Sequence, residues 1–141
     1  MAYQWDSSLE TGHEKIDNQH KQLVAALNNI IKASQNGEGS DEIFKTLDFL
    51  TGYTIMHFAD EEKLQVKYDY PDYLVHKRYH NDFKATIGEL SDRLRKEGPT
   101  EDMVRAVTTA VGDWLLNHIK GDDFRMAAHV KSRQEEDARN P

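Results

Sequence analysis

Apolar residues recur every three or four positions in four separate stretches of the chain, each closed by polar or turn-forming residues. The first stretch follows Asp17, a predicted N-cap, and sets Leu23, Leu27, Ile30 and Ile31 on one face until Asn36-Gly37 ends it. After a Gly-Glu-Gly break, Ser40 or Asp41 is expected to cap a second helix. Its inward face carries Phe44, Leu47, Leu50, Thr54, His57, Glu61 and Leu64, and it fades near Lys67. The third has Pro71 at its expected first helical position and reads Tyr73, His76, His80, Phe83, Ile87, Leu90 and Leu94 before Gly98-Pro99. Thr100 caps the fourth, which places Met103, Val107, Ala110, Trp114, Leu115 and His118 at helical spacing up to Gly121.

No segment alternates as a strand does, and no repeat or low-complexity tract interrupts the pattern. Four helices of similar length with short links predict an all-α fold, an antiparallel up-down-up-down four-helix bundle over residues 1–130. Within it, residues 1–16 read as an irregular N-terminal arm pinned by Trp5 and Leu9. Residues 131–141 are polar and aperiodic, expected to form a frayed extension or a disordered tail.

The polar members of the inward stripes change the picture. In an antiparallel bundle the start of the first helix, the end of the second, the start of the third and the end of the fourth share one end. His20, His57, Glu61, His76, His80 and His118 all fall within roughly two to three turns of that end, at about 1.5 Å per residue. His57 with Glu61, and His76 with His80, are i,i+4 pairs that present both side chains on one face. A lone buried histidine is usually an ordinary hydrogen-bonded core residue, but so many at one depth call for a common partner. Burying unpaired polar rings costs about 1–3 kcal/mol each, a cost that a metal using their lone pairs offsets.

Composition narrows the metal. Cysteine is absent, which excludes disulfides, thiolate zinc sites, iron–sulfur clusters and covalently attached c-type haem, so nitrogen and oxygen must hold any ion. Imidazole with carboxylate suits iron, manganese, copper or zinc, and the donors outnumber what one tetrahedral ion needs. Two ions also need a second carboxylate. Asp122, at i+4 from His118, follows the helical face, whereas Asp123 at i+5 would lie about 140° away unless Gly121 lets the helix end or bend. Spacing leaves that choice open.

Of the 141 residues 30% are charged, with a formal net charge of −7, which disfavours nucleic acid and anionic membrane surfaces as partners. No apolar block is long enough for a membrane span, and the start does not read as a signal peptide, so a cytoplasmic protein is expected.

The segments "WDSSLETGHEKIDNQH", "HFADEE", "YPDYLVHKRYHNDF" and "WLLNHIKGDD" resemble the hemerythrin family, and specifically its stand-alone bacterial form. A single H-x-x-x-H would say little. The ordered set H, H-x-x-x-E, H-x-x-x-H and H-x-x-x-x-D, each on its own helix, is specific.

The resemblance implies a non-haem di-iron centre in which His76, His80 and His118 saturate one iron. His20 and His57 would hold the other and leave a position open, while Glu61 and Asp123 bridge the pair with a hydroxide or oxide. It is this likeness that favours Asp123 over Asp122. His13 and His129 match no ligand position and are expected at the surface.

The implied activity is reversible binding of dioxygen, not enzymatic turnover, for storage, transport or scavenging. It requires a dry pocket, for which Phe58, Trp114, Leu115 and Ile119 are candidates by their places beside the ligands, Leu115 foremost because it shares the face of His118. Each of the four could equally be ordinary core. A ferritin-like oxidase would need two E-x-x-H pairs and further glutamates. The sequence offers only Glu10 to His13, which contains Gly12. Two other readings are a di-iron redox enzyme acting on peroxide or nitric oxide and an oxygen or iron sensor acting through a partner; no output domain is seen to support the latter.

Overall fold

The computed structural model describes residues 2–140. After a single 3₁₀ turn at Ser7–Leu9, helix α1 spans Glu14–Gln35, α2 Ser40–Lys67, α3 Tyr73–Glu97 and α4 Glu101–His118. One wide turn, Ile119–Asp123, joins α4 directly to α5, Phe124–Arg139. Helix α1 packs on α2 and α4, and α3 packs on the same two, which closes the four-helix bundle. Among the described residues there is no strand, and no helix is long and apolar enough to cross a membrane.

The core follows the expected stripes. Leu23, Leu27 and Ile30 of α1, Leu47 and Leu50 of α2, Phe83, Ile87 and Leu94 of α3, and Val107 and Leu115 of α4 are all buried in one cluster. Two positions of the α4 stripe differ from the expected ones: Val104 is buried ahead of the half-buried Met103, and Ala110 is exposed with Val111 buried in its place.

Helix starts differ from expectation more than helix interiors do. α1 begins ahead of Asp17 with His13 as its N-cap, the Nδ1 of His13 accepting from the Ile16 N–H at 3.3 Å. The Asp17 carboxylate turns back instead and accepts from the backbone N–H and hydroxyl of Thr11, at 2.8 and 2.7 Å, and from the Gly12 N–H at 3.2 Å. It anchors the arm, because a carboxylate at a helix start can serve whichever orphan donors packing brings to it.

Gly39, with no side-chain cap, precedes α2, in place of Ser40 or Asp41. Pro71 lies in the turn before α3, whose N-cap is Asp72. Thr100 does cap α4, its hydroxyl accepting from the Met103 N–H at 3.2 Å. The polar stretch after Val130 is helical to Arg139 as the last turns of α5. Met126 and Val130 bury the near part of α5 against Ile16 and Tyr70 and give it a support that its own composition does not reveal.

The arm is anchored at three further points. Tyr3 exchanges two hydrogen bonds with Asn28, backbone N–H to Oδ1 at 2.8 Å and Nδ2 to the carbonyl at 2.7 Å. Its ring covers Gly112 so closely that a Cβ there would lie 2.3 Å from the ring. Leu9 enters the main core, and Trp5 packs against it.

Candidate metal centre

Each helix of the bundle delivers at least one polar side chain to one buried level. His20, His57, Glu61, His80 and Asp123 are wholly buried, and His76 and His118 nearly so. The ring nitrogens that converge are all Nε2. The two carboxylates divide their oxygens between two groups of imidazoles.

Glu61 Oε2 lies 3.1 Å from His57 and 3.4 Å from His20, while its Oε1 lies 3.0 Å from His80 and 3.6 Å from His76. Asp123 repeats the pattern, with Oδ2 2.9 Å from His20 and Oδ1 3.1 Å from His76 and 3.3 Å from His118. Two donor sets result, His76–His80–His118 and His20–His57, each able to hold one ion, and Glu61 and Asp123 belong to both.

Asp123 reaches this level through the turn after α4. A regular helix would put it about 140° from His118. Here the Phe124 N–H reaches back five residues to the Ile119 carbonyl, so the turn is a π-turn that accommodates one extra residue without ending the helix. Gly121 lies within it, but its φ is not positive and a Cβ there would meet nothing closer than Arg125 Nη1 at 3.8 Å. The bend therefore comes from the widened hydrogen-bond register, and glycine's conformational freedom is not required.

The same turn separates the roles of the two aspartates. Asp122 Oδ2 sits 2.8 Å from Nδ1 of His118 and its other oxygen pairs with Arg125, so it backs the His118 ring from outside.

The chemistry of the donors fits metal ions. Glu61 and Asp123 are wholly buried carboxylates, and the ion pairs they make among the described residues are with histidines alone. The Nε2 atoms of His20, His57 and His76 and all four carboxylate oxygens lie at contact distance without hydrogen-bond alignment. Buried polar atoms left so are costly, and divalent cations would satisfy them.

Protons are the alternative occupants. Burial opposes charging of His20, His76 and His118, yet Asp123 and Glu61 outweigh it and hold His20 and His76 up at about 9, while at His118 Asp123 and the bonded Asp122, with Glu61, raise it to about 10. Burial likewise pushes the Glu61 and Asp123 carboxyls up, but the facing histidines hold both below the usual carboxylate range.

Outer partners fix three of the rings. His57 Nδ1 donates to Gln19 Oε1 at 2.6 Å, and His80 Nδ1 to Glu62 at 2.9 Å. With His118 on Asp122, these bonds hold a proton on Nδ1 and turn Nε2 inward, where its lone pair would serve a metal ion. Gln19 and Glu62 were not singled out in the sequence, although each has a readable signal: Glu62 follows Glu61, and Gln19 precedes His20.

The aromatic candidates lie chiefly against the three-histidine set. Phe58 stacks on His80, ring centroids 3.8 Å apart, and Trp114 stacks on His118 at 4.4 Å and on Phe83 at 3.9 Å. Leu115 and Ile119 are buried in the adjoining core. The two remaining histidines stand apart from the cluster and are half-buried instead of exposed, His13 as the α1 cap and His129 donating from Nε2 to the Tyr68 carbonyl at 2.7 Å.

Comparison with known proteins identifies the family and the fold. Residues 11–130 match the Hemerythrin HHE cation binding domain. The chain is 34% identical over 135 residues to a bacteriohemerythrin of Stenotrophomonas maltophilia, covering 96% of this chain and 86% of that one. It is 30% identical to a myohemerythrin of Theromyzon tessulatum, over 87% of this chain and 89% of the other. A crystal structure of wild-type hemerythrin superposes with a TM-score of 0.80 at 28% identity, covering 92% of this chain and 98% of that chain. With the bundle, the shared carboxylates and the matched domain in agreement, the chain belongs to the hemerythrin family.

Proposed function

We propose that this protein binds dioxygen reversibly at a non-haem di-iron centre, for oxygen storage, transport or scavenging, and is not an enzyme. The observation that carries this reading is the division of the Glu61 and Asp123 oxygens between the two histidine sets, which is the arrangement two bridged ions require. His76, His80 and His118 would hold one iron, His20 and His57 the other, and Glu61 and Asp123 would bridge them together with a hydroxide or oxide. When bound, a ferrous pair would supply the two electrons that dioxygen takes up, and the His20–His57 side, with one imidazole fewer, would be the side open to it.

The chain's own residues supply the rest. With metal in place of the protons on Nε2, five imidazoles and two carboxylates would give a donor set of low negative charge, which favours holding oxygen over cleaving it. Leu115 and Ile119, both buried, keep water from the centre. Phe58 and Trp114 press flat on His80 and His118 and hold those rings in place. The outer acceptors keep the Nδ1 protons away from the reacting side.

The reading is tested by oxygen-free reconstitution with ferrous iron, a metal count, and a visible spectrum before and after air. Two irons per chain and a charge-transfer band that appears with oxygen and disappears on its removal are expected. One tightly held zinc without colour, or continuous consumption of oxygen with an electron donor, would replace it with a structural site or an oxidase.

A further inference from the structure

We propose that the two halves of the centre load unequally: the His76–His80–His118 half takes its ion first, and Glu62 and Asp122 set that order as positioning residues. The inference rests on the two-ion reading above and concerns the shell behind the ligands. Behind the three-histidine half, carboxylates touch two of the three imidazoles directly, Glu62 on His80 at 2.9 Å and Asp122 on His118 at 2.8 Å, while His76 has no such contact among the described residues. Behind the two-histidine half there is no such contact among the described residues. His57 leans on the neutral amide of Gln19 at 2.6 Å, and Nδ1 of His20, fully buried, has no partner.

The carboxylate on that side stands one residue further out. Asp60 accepts from the Gln19 Nε2 at 2.8 Å, so its charge reaches His57 only through an amide; Lys15 beside Asp60 and Arg125 beside Asp122 offset each other in the comparison. A carboxylate on the outer N–H makes an imidazole a stronger donor and fixes its orientation, and loss of such a contact weakens metal affinity by about 10- to 100-fold. Two such contacts and a third imidazole favour one half; an amide and an unsupported ring leave the other weaker.

The test is titration of the metal-free full chain with Co²⁺ in the absence of oxygen, followed by calorimetry and by visible absorption of the bound ion. Two steps of one ion each are expected, the first tighter by about tenfold or more. His57→Ala should remove the weaker step and spare the tighter one. Glu62→Gln and Asp122→Asn should each weaken the tighter step by about tenfold and leave the weaker in place.

The decisive variant moves a carboxylate without changing net charge. Gln19→Glu combined with Asp60→Asn puts the acid directly on His57 and the amide behind it, and should strengthen the weaker step by about tenfold, a gain that general loss of stability cannot produce. Two equal steps, loss of the tighter step in His57→Ala, or outer substitutions that shift both steps alike would overturn the loading order and leave the di-iron reading standing. Failure of Co²⁺ to bind would overturn both.

Discussion

His118 and Asp123 are five positions apart on one continuous helical path, yet Nε2 of the first lies 3.3 Å from Oδ1 of the second. The π-turn between them makes the second shared carboxylate available. Asp123→Ala should cost the chain at least one ion of the proposed pair, because Asp123 serves both donor sets. Asp122→Asn should retain both at saturating metal, and Gly121→Ala should too, since the turn has room for the extra methyl. Elemental analysis of the purified variants decides the matter, and an Asp122→Asn protein lacking an ion while Asp123→Ala keeps two would reverse the assignment.

The metal-free chain should lose stability in alkali. His20 and His76 at about 9 and His118 at about 10 stand above the ordinary 6.5, so their contribution is complete below about pH 6.5 and fades as pH rises through those values. Glu61 and Asp123, held below 4.5 and 3.8, contribute above those values and less as pH falls further. The melting temperature of the metal-free form should therefore be highest between about pH 4.5 and 6.5 and fall towards pH 10. In the loaded protein metal replaces the protons on Nε2, and the alkaline fall should vanish. Circular dichroism melts of both forms across this range measure the difference; parallel curves would argue against shared donors.

Leu115 is the residue on which exclusion of water should depend most. Leu115→Ala removes a side chain only 4% exposed, at a cost of about 2–5 kcal/mol of stability, and should shorten the lifetime of the oxygenated protein several-fold. Leu47→Ala, an equally buried position near the opposite end of the bundle, should cost similar stability and leave that lifetime unchanged. Decay of the visible band after oxygenation gives both values.

Tyr3 and Gly112 form a contact that tolerates no added atom. Gly112→Ala would set a methyl 2.3 Å from the Tyr3 ring and should destabilise the protein by about 1–3 kcal/mol as the arm is displaced. In a Tyr3→Ala background the same change should cost little. A double-mutant cycle in urea reads the coupling directly.

Much of this protein was legible along the chain. The 3.6-residue periodicity of stripes such as Leu23–Leu27–Ile30 and Phe83–Ile87–Leu94 is a local property, so the helices and their inward faces follow from the sequence alone. The i,i+4 pairs His57–Glu61 and His76–His80 were readable for the same reason. Polar ends were less so: Asp17 looked like a helix cap and instead anchors the arm through Thr11 and Gly12.

Tertiary packing decided what no period encodes. Whether Asp122 or Asp123 faces the cluster depends on the hydrogen-bond register of one turn, which regular helical spacing gets wrong. Support for α5 comes from Ile16 and Tyr70, far away along the chain. The difference between the two halves of the centre lies in Glu62, Asp122 and Gln19 meeting the backs of rings on the same or other helices. A side chain's partner across a bundle is fixed by helix depth and rotation, and these are set only when the cores interlock.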